Sequence, residues 1–122
     1  MNEIGTFSII AYDSELGEFG IAVQSRAFRA GAVVPHAKAG VGAIATQAMG
    51  NLSYGPKGLA LLEQGLSAPE VLERLLAEDE LREHRQVAII DSQGRIAQHT
   101  GSKCLEWAGH ISDKTWAAQG NI

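Results

Sequence analysis

The first quarter of the chain contains two runs of β-forming residues separated by a turn-like segment. Residues 6–12 (TFSIIAY) and 19–24 (FGIAVQ) are rich in β-branched and aromatic residues, and the turn-like residues 13–17 (DSELG) lie between them. Two strand-forming runs that flank a short turn are typical of a β-hairpin. The sequence therefore predicts that the first two strands pair as a hairpin.

Two apolar runs punctuated by glycine follow, at residues 31–35 (GAVVP) and 40–47 (GVGAIATQ). Small residues in such runs let neighbouring backbones approach closely, and both runs are predicted to be short strands. Neither run alternates between apolar and polar positions, which indicates a sheet covered on both faces. A layered protein of helices and sheets is the expected architecture.

The hydrophobic period changes in the middle of the chain. Pro56 suits a first helical turn, a leucine-rich stripe follows it, and Gly65 stands where a left-handed C-terminal cap belongs. Residues 67–70 (SAPE) match a capping box, and the apolar residues after them recur at helical spacing. The sequence therefore predicts two helices that form a helical hairpin.

Strand-forming composition returns in the last third of the chain. Residues 86–91 (QVAIID) and 95–99 (RIAQH) flank a turn at residues 92–94 (SQG), which predicts a second hairpin. Beyond residue 100 the pattern weakens, and we expect one more strand among loops.

Composition narrows the classes of function. The chain has 122 residues, of which 45% are hydrophobic and 20% charged, as in one soluble globular domain. A net charge of −4 with scattered basic residues argues against a nucleic-acid partner. One cysteine and four widely spaced histidines lack zinc-ligand spacing, and nucleotide-binding glycine motifs are missing, so we expect no metal and no cofactor. Without a signal peptide or membrane-length apolar stretch, the expected location is cytoplasmic, with no membrane contact.

Thr6 is a candidate nucleophile. A threonine hydroxyl reacts poorly at neutral pH unless a base takes its proton, and a free α-amine on the same residue is one known base. Cleavage between Gly5 and Thr6 would create that amine. From chemistry alone, the commoner interpretation is that Thr6 is an ordinary β-branched strand residue.

Two polar segments offer candidate substrate-binding residues. Ser25 and Arg26 directly follow a predicted strand, where ligand-binding groups often collect, although a polar turn explains them more simply. Gln47 and Asn51 lie where a strand leads through a glycine-bearing loop into a helix. They could line a polar pocket, and Asn51 is equally suited to capping the helix.

The ordered set of these segments resembles a known family. In chain order the segments are TFSI (6–9), GIAVQS (20–25), GAVVP (31–35), AGVGAIATQ (39–47), SYGP (53–56), RQV (85–87), WAGH (107–110) and QGN (119–121). Together they closely resemble the bacterial and archaeal family of unknown function numbered 1028 (DUF1028). The resemblance covers nearly the whole chain from Thr6.

That family is grouped with the N-terminal-nucleophile hydrolases, so the resemblance implies an α+β fold, a four-layer αββα sandwich. It also implies Thr6 as the nucleophile, because in many relatives this threonine directly follows the initiator methionine. Here five residues precede it, so residues 1–5 are expected to be an extension or propeptide and residues 6–122 a single domain. Relatives continue past QGN, so the sandwich is expected to lack its C-terminal helical part.

Two hypotheses of function follow. The first is an amide-bond hydrolase that acts on a small-molecule or peptide amide, with Thr6 attacking and Ser25, Arg26, Gln47 or Asn51 positioning the substrate or stabilising the oxyanion. The second is a non-catalytic ligand-binding or assembly module on the same fold. Because an incomplete sandwich would expose apolar surface, we expect a homo-oligomer or assembly with a second fragment.

Overall fold

The computed structural model describes residues 5–122. Within them the strands are β1 (Thr6–Asp13), β2 (Glu18–Ser25), β3 (Pro35–Lys38), β4 (Gly42–Ala48), β5 (Arg85–Asp91), β6 (Ile96–Thr100), β7 (Ala108–Asp113) and β8 (Trp116–Asn121). The helices are α1 (Ala30–Val33), α2 (Tyr54–Glu63) and α3 (Ala68–Ala77), and a 3-10 turn spans Arg82–His84.

The strands form two stacked antiparallel sheets. Sheet A has the order β2-β1-β8-β7, and sheet B has the order β3-β4-β5-β6. Apolar side chains fill the space between the sheets, with Ile10, Ala45 and Ile90 at its centre. In sheet A, Thr6 lies opposite Ser25 of β2 on one side and opposite Asn121 of β8 on the other. The first residue of β1 therefore sits between two polar neighbours at one end of the sandwich.

Helices α2 and α3 cover the outer face of sheet B. Ile44 and Ile89 are fully buried there against Val71 and Leu75 of α3. A Cβ atom added to Gly58 of α2 would lie 2.3 Å from Ile44 Cδ1, so glycine lets this helix approach the sheet closely. The described residues thus form three layers in the order helices, sheet B and sheet A.

Most of the predicted elements are present. Both hairpins form as expected, and so does the helical hairpin. The Ser67 hydroxyl accepts a hydrogen bond from the Glu70 N–H, and the Glu70 carboxylate accepts one from the Ser67 N–H, which completes the predicted capping box. Gly65 follows α2 at φ +96°, so the expected left-handed C-terminal cap is also confirmed.

Two predictions of local structure were wrong. Residues 31–35 do not form a strand, because residues 30–33 make the helical turn α1 and the strand starts only at Pro35. Arg29 adopts a left-handed backbone at φ 62° and redirects the chain there. Beyond residue 100 there are two strands instead of one, since β7 (AGHISD) lacks a strand-like pattern and owes its conformation to pairing with β8.

The mixed α+β class is confirmed, with two antiparallel sheets and three helices. In the described part of the chain, α2 and α3 both pack on sheet B, whereas the outer face of sheet A exposes Phe7, Ile9 and Ile111. The resemblance implies four layers, and residues 5–122 supply three. Of the expected N-terminal extension, residues 1–4 lie outside the described residues.

Candidate functional site

Thr6 begins β1, and its side chain lies between the sheets with 6% of its surface exposed. Its Oγ1 lies 2.7 Å from Ser25 Oγ, because the register of the β1–β2 hairpin places the two residues opposite each other. Ser25 Oγ donates to the Gly5 carbonyl oxygen at 3.2 Å and accepts from the Ala27 N–H at 3.0 Å. Since the single Ser25 hydroxyl proton is used on Gly5, the Thr6 hydroxyl donates to Ser25 and keeps its own lone pairs available.

The two hydroxyl groups line a cavity of about 100 Å³, called here the Thr6 cavity. Gln47 also lines it, and small or apolar residues from α1 and the end of β4 complete the wall. None of the lining side chains carries a charge. A larger groove of about 630 Å³ lies on the outer face of sheet A. That groove is shallow and mostly apolar, so the chemistry-bearing groups point to the smaller cavity.

Strained backbone and a buried hydroxyl group without a hydrogen-bond partner lie next to the Thr6 cavity. In the part of the chain that the structure describes, two residues other than glycine have a positive φ: Arg29 at 62° and Ala48 at 66°. Ala48 lines the cavity, and Arg29 lies between two lining residues. Thr46 also lines it, and its buried Oγ1 has no hydrogen-bond partner. Strained backbone of this kind, unfavourable by about 1–3 kcal/mol per residue, concentrates at functional sites.

Gln47 holds the main chain of Thr6. Its Nε2 donates to the Thr6 carbonyl oxygen at 3.2 Å and to Gln86 Oε1 at 2.8 Å, while its Oε1 accepts from Ser8 Oγ at 2.7 Å. Gln86 Oε1 also accepts from Asn121 Nδ2 at 2.9 Å. A network of uncharged, buried amide and hydroxyl groups between the sheets therefore orients Thr6.

Sequence reasoning missed Ser8, Gln86 and Asn121 as parts of this network. A signal was present at β1, where polar Thr6 and Ser8 alternate with apolar Phe7 and Ile9. The polar residues of that pattern point inward, which is the reverse of an ordinary surface strand. Only the stacking of the two sheets shows why, since Gln47 of β4 in sheet B bonds to both Ser8 and the main chain of Thr6.

Arg26 and Asn51 lie outside the lining of the Thr6 cavity. The Arg26 backbone N–H donates to the Gly5 carbonyl oxygen at 3.4 Å. Asn51 Oδ1 accepts from the Ser53 N–H at 3.0 Å and from Ser53 Oγ at 2.7 Å, in the turn that leads into α2. The structure thus brings Thr6, Ser25 and Gln47 together and leaves these two side chains apart. Substrate binding by any of the four candidate residues stays a prediction.

A buried ion pair lies behind the loop that follows β4. Arg85 Nε contacts Asp79 Oδ2 at 2.8 Å, and the Tyr54 hydroxyl donates to the same carboxylate oxygen at 2.6 Å. The hydrogen bond from Arg85 lowers the pKa of Asp79, whereas burial and the neighbouring Asp79 raise the pKa of Tyr54. The cluster therefore holds a carboxylate, a guanidinium and a neutral phenol at neutral pH. No sequence pattern predicts this cluster, because Asp79 stands in an acidic run that looks solvent-exposed.

Residues 5–122 offer little support for a metal site or a reactive cysteine. No three His, Cys, Asp or Glu side chains there lie close enough together to hold a metal ion. Burial raises the pKa of the Cys104 thiol, whose Sγ donates to the Arg85 carbonyl oxygen at 3.4 Å, so this is not an activated thiolate. No helix in the same range has the length and apolar character needed to cross a bilayer.

Comparison with known proteins identifies the family. The family model described as "Family of unknown function (DUF1028)" matches residues 6–122. The chain belongs to the DUF1028 family. The resemblance seen in the ordered segments is thereby confirmed, and a description of unknown function leaves the DUF1028 reaction open.

A solved DUF1028 structure has the same fold. The crystal structure of protein SPO2555 from Silicibacter pomeroyi matches 97% of this chain with a TM-score of 0.92 and 29% sequence identity. The match covers 53% of the SPO2555 chain, so the present chain spans about half the length of that relative. No curated protein matches the chain.

Proposed function

We propose that this chain is an amide-bond hydrolase of the N-terminal-nucleophile type, with Thr6 as its nucleophile. The observation that carries the proposal is the 2.7 Å contact between Thr6 Oγ1 and Ser25 Oγ in a cavity flanked by strained backbone. A hydroxyl that is hydrogen-bonded to a second hydroxyl can pass on its proton as it attacks a carbonyl carbon. Membership of DUF1028, with its resemblance to the N-terminal-nucleophile hydrolases, supports the same reaction class.

The first step releases the nucleophile from Gly5. The Gly5 carbonyl oxygen accepts hydrogen bonds from the Ser25 hydroxyl at 3.2 Å and the Arg26 N–H at 3.4 Å. Two donors at this oxygen would stabilise the negative charge that develops there during attack. Thr6 Oγ1 attacks the Gly5 carbonyl carbon and passes its proton to Ser25 Oγ. As the intermediate collapses, the Ser25 hydroxyl turns from the Gly5 oxygen and protonates the Thr6 nitrogen while the C–N bond breaks. Water then hydrolyses the resulting ester, leaving a Gly5 carboxylate and a free Thr6 α-amine.

The second step acts on a substrate. The free α-amine takes the proton of Thr6 Oγ1, which attacks the substrate amide while Gln47 holds the Thr6 main chain. Because the cavity lining is uncharged, the substrate group that enters it is small and neutral. A charged group buried without a partner would be strongly unfavourable. Arg26 and Asn51, which lie outside the lining, would contact only parts of the substrate beyond the cavity.

The proposal includes the full αββα sandwich and a cytoplasmic location. A fourth, helical layer would cover sheet A and come from a second fragment or a second copy of the chain. The exposed Phe7, Ile9 and Ile111 support this, since an antiparallel sheet face in contact with water is normally polar. SPO2555, which extends well beyond the matched region, is a relative with additional polypeptide.

Intact-mass spectrometry of the purified full chain tests the first step. After prolonged incubation we expect the mass to fall by that of residues 1–5, with Thr6 as the new first residue. Thr6→Ser should still be cleaved and Thr6→Ala should not. Thr115→Ala, which changes an exposed threonine in the β7–β8 turn, should be cleaved like the wild type. A chain that still starts at Met1 or Asn2 would show that Thr6 has no free α-amine, which excludes catalysis through that amine.

A screen of small neutral amides with the released protein tests the second step. We expect hydrolysis that Thr6→Ala reduces by about a thousandfold or more, as for the loss of other catalytic nucleophiles. Activity that survives Thr6→Ala would exclude Thr6 from the mechanism.

The second candidate function is a non-catalytic binding or assembly module. It is favoured by the five residues that precede Thr6 in the sequence, since an acylated nitrogen cannot act as the base, and by the hydrogen bond from Ser25 Oγ to the Gly5 carbonyl oxygen. An uncleaved chain that binds small neutral ligands in the Thr6 cavity equally well with Thr6→Ala would support this function over hydrolysis.

A further inference from the structure

The loop at residues 48–51 forms part of the wall of the Thr6 cavity, and its backbone is strained at Ala48. Ala48 and Gly50 line the cavity, and Gln47, immediately before the loop, holds the Thr6 carbonyl oxygen. Ala48 has a left-handed backbone at φ 66°, which is unfavourable for a residue with a Cβ atom. Such a conformation persists only where the surroundings enforce it.

Hydrogen bonds to the backbone of Met49 provide that enforcement. The Met49 side chain is 54% exposed, so its packing does not hold the loop. The Met49 N–H donates to the His84 carbonyl oxygen at 3.1 Å, and Arg85 Nη1 donates to the Met49 carbonyl oxygen. Both backbone polar groups of Met49 are therefore held by residues 84 and 85, where the 3-10 turn leads into β5.

The Asp79 carboxylate in turn holds Arg85. Asp79 Oδ2 accepts from Arg85 Nε at 2.8 Å and from Asn51 Nδ2 at 3.4 Å, and Oδ1 accepts from Arg85 Nη2 at 3.2 Å. The pair is therefore bidentate, and it contacts the loop at Met49 through Arg85 and at Asn51 through Asp79. Both side chains are nine-tenths buried.

Stability alone is a weak reason for such a pair. Replacing a buried ion pair with packed apolar residues is often neutral or stabilising, because desolvation of two charges offsets their attraction. A bidentate guanidinium offers directional hydrogen bonds that apolar packing lacks. The pair lies directly behind the strained loop, where directional hydrogen bonds hold the loop backbone in place.

We propose that Asp79 and Arg85 are positioning residues that clamp the strained loop at residues 48–51 and so keep Gln47 and Thr6 in place. The role of the clamp in catalysis rests on the proposed function, whereas its positioning of the loop does not depend on that reaction. Asp79 and Arg85 lie outside the cavity lining and act only through the loop.

Hydrogen exchange of the full chain, with Arg85→Lys as the main variant, tests the clamp. A lysine keeps the charge but cannot contact both Asp79 and Met49 as the guanidinium does. We expect exchange at the Met49 amide, which donates to the His84 carbonyl oxygen, to accelerate by about tenfold or more, since a charged hydrogen bond to the same residue is lost. The Thr6 methyl resonance should shift in the ¹³C NMR spectrum as Gln47 loosens.

Two control variants separate positioning from stability. Arg95→Lys breaks a pair with the same 2.8 Å contact, to Asp91, away from the loop, and should leave the Met49 amide and the Thr6 resonance unchanged. Tyr54→Phe removes a hydroxyl from Asp79 but keeps Arg85 on Met49. It should lower the melting temperature without accelerating exchange at Met49.

Strain relief gives an independent measurement. Glycine tolerates a positive φ, so Ala48→Gly should raise the melting temperature of the wild type, where the clamp enforces the strain. In the Arg85→Lys or Asp79→Asn background the loop is free to relax, so the same change should raise it less or lower it. If Ala48→Gly changes the melting temperature by the same amount in both backgrounds, the clamp proposal is overturned.

The outcomes distinguish the clamp from the hydrolase. Faster exchange at Met49 with a shifted Thr6 resonance supports the clamp even if the Gly5–Thr6 bond is never cleaved, in which case only the hydrolase fails. If the bond is cleaved, Arg85→Lys should slow cleavage about tenfold at temperatures where the protein is fully folded. A lower melting temperature with unchanged exchange and an unchanged Thr6 resonance would show a purely structural pair and overturn the proposal.

Discussion

The outer faces of the two sheets are both apolar, yet only one of them is covered in residues 5–122. On sheet B, Ile44, Val87 and Ile89 are fully buried beneath α2 and α3. On sheet A, Phe7 is 51% exposed and Ile111 is 64% exposed. An apolar strand pattern therefore specifies a face that requires a cover, while the source of the cover depends on the rest of the assembly.

The two faces also differ in how tightly their glycines are packed. A Cβ atom on Gly58 would lie 2.3 Å from Ile44 Cδ1, whereas one on Gly20 or Gly109 of sheet A would meet no atom within 4 Å. Gly109 lines the groove of about 630 Å³ on this face. On sheet B, helical side chains fill the equivalent space. Substitutions on each sheet test whether the two outer faces differ in this way.

The largest effect is expected from the buried ion pair on the helix-covered side. Asp79→Asn leaves Arg85 buried without its counter-charge, which should lower the free energy of unfolding by about 3–5 kcal/mol near neutral pH. Because Arg85 lowers the pKa of folded Asp79, the carboxylate stabilises the protein above its unfolded pKa of about 3.9. This contribution is lost as the pH falls through the lower folded pKa.

Urea unfolding between pH 3 and pH 7 measures this dependence. The difference between wild type and Asp79→Asn should be largest near pH 7 and should shrink as the pH falls below about 4. A difference that stays constant over this range would contradict the assignment of the pH dependence to Asp79.

Truncating a buried side chain of α3 should have the next largest effect. Leu75→Ala is expected to lower the free energy of unfolding by about 2–5 kcal/mol, because it leaves a cavity against sheet B. Ile9→Ala on sheet A is the matched control and should lower it by less than about 1 kcal/mol, since Ile9 is 43% exposed. Equal losses in urea unfolding would mean that sheet A is covered in solution.

A smaller effect is expected from the N-terminus of α3. Ser67→Ala removes the hydroxyl that accepts from the Glu70 N–H, and it should lower the free energy of unfolding by about 1 kcal/mol. Ser112→Ala, at an exposed position of β7, should change it by no more than about 0.5 kcal/mol. Indistinguishable melting curves for the two variants would show that the cap adds nothing.

The smallest effect on stability is expected on the uncovered face. In the chain without a covering partner, Ile111→Thr should change the free energy of unfolding by no more than about 0.5 kcal/mol, because the side chain already contacts water. It should also reduce binding of a hydrophobic dye and any self-association measured by sedimentation, since both depend on exposed apolar surface. A loss above about 2 kcal/mol, beyond the range of exposed sites, would show that Ile111 is buried by a partner.

Features that depend on neighbouring residues follow from the amino-acid sequence alone. The capping box at Ser67, the left-handed Gly65 and the two hairpins follow from short-range hydrogen bonds and backbone preferences, and all were predicted. The pairing of Thr6 with Ser25 also follows from a local hairpin once its register is known. The ordered segments were sufficient to indicate DUF1028.

Contacts between residues far apart in the chain arise only when the two sheets pack together. Gln47 reaches Thr6 from 41 residues away because two sheets stack, and no local pattern records that contact. Asp79 and Arg85 meet behind a strained loop, in a run of charges that resembles ordinary surface. Residues 31–35 do not form the predicted strand for the same reason. Packing of the turn that closes the Thr6 cavity overrides their β-forming composition. Contacts between distant segments depend on the packing of whole layers, and this packing determines the candidate site.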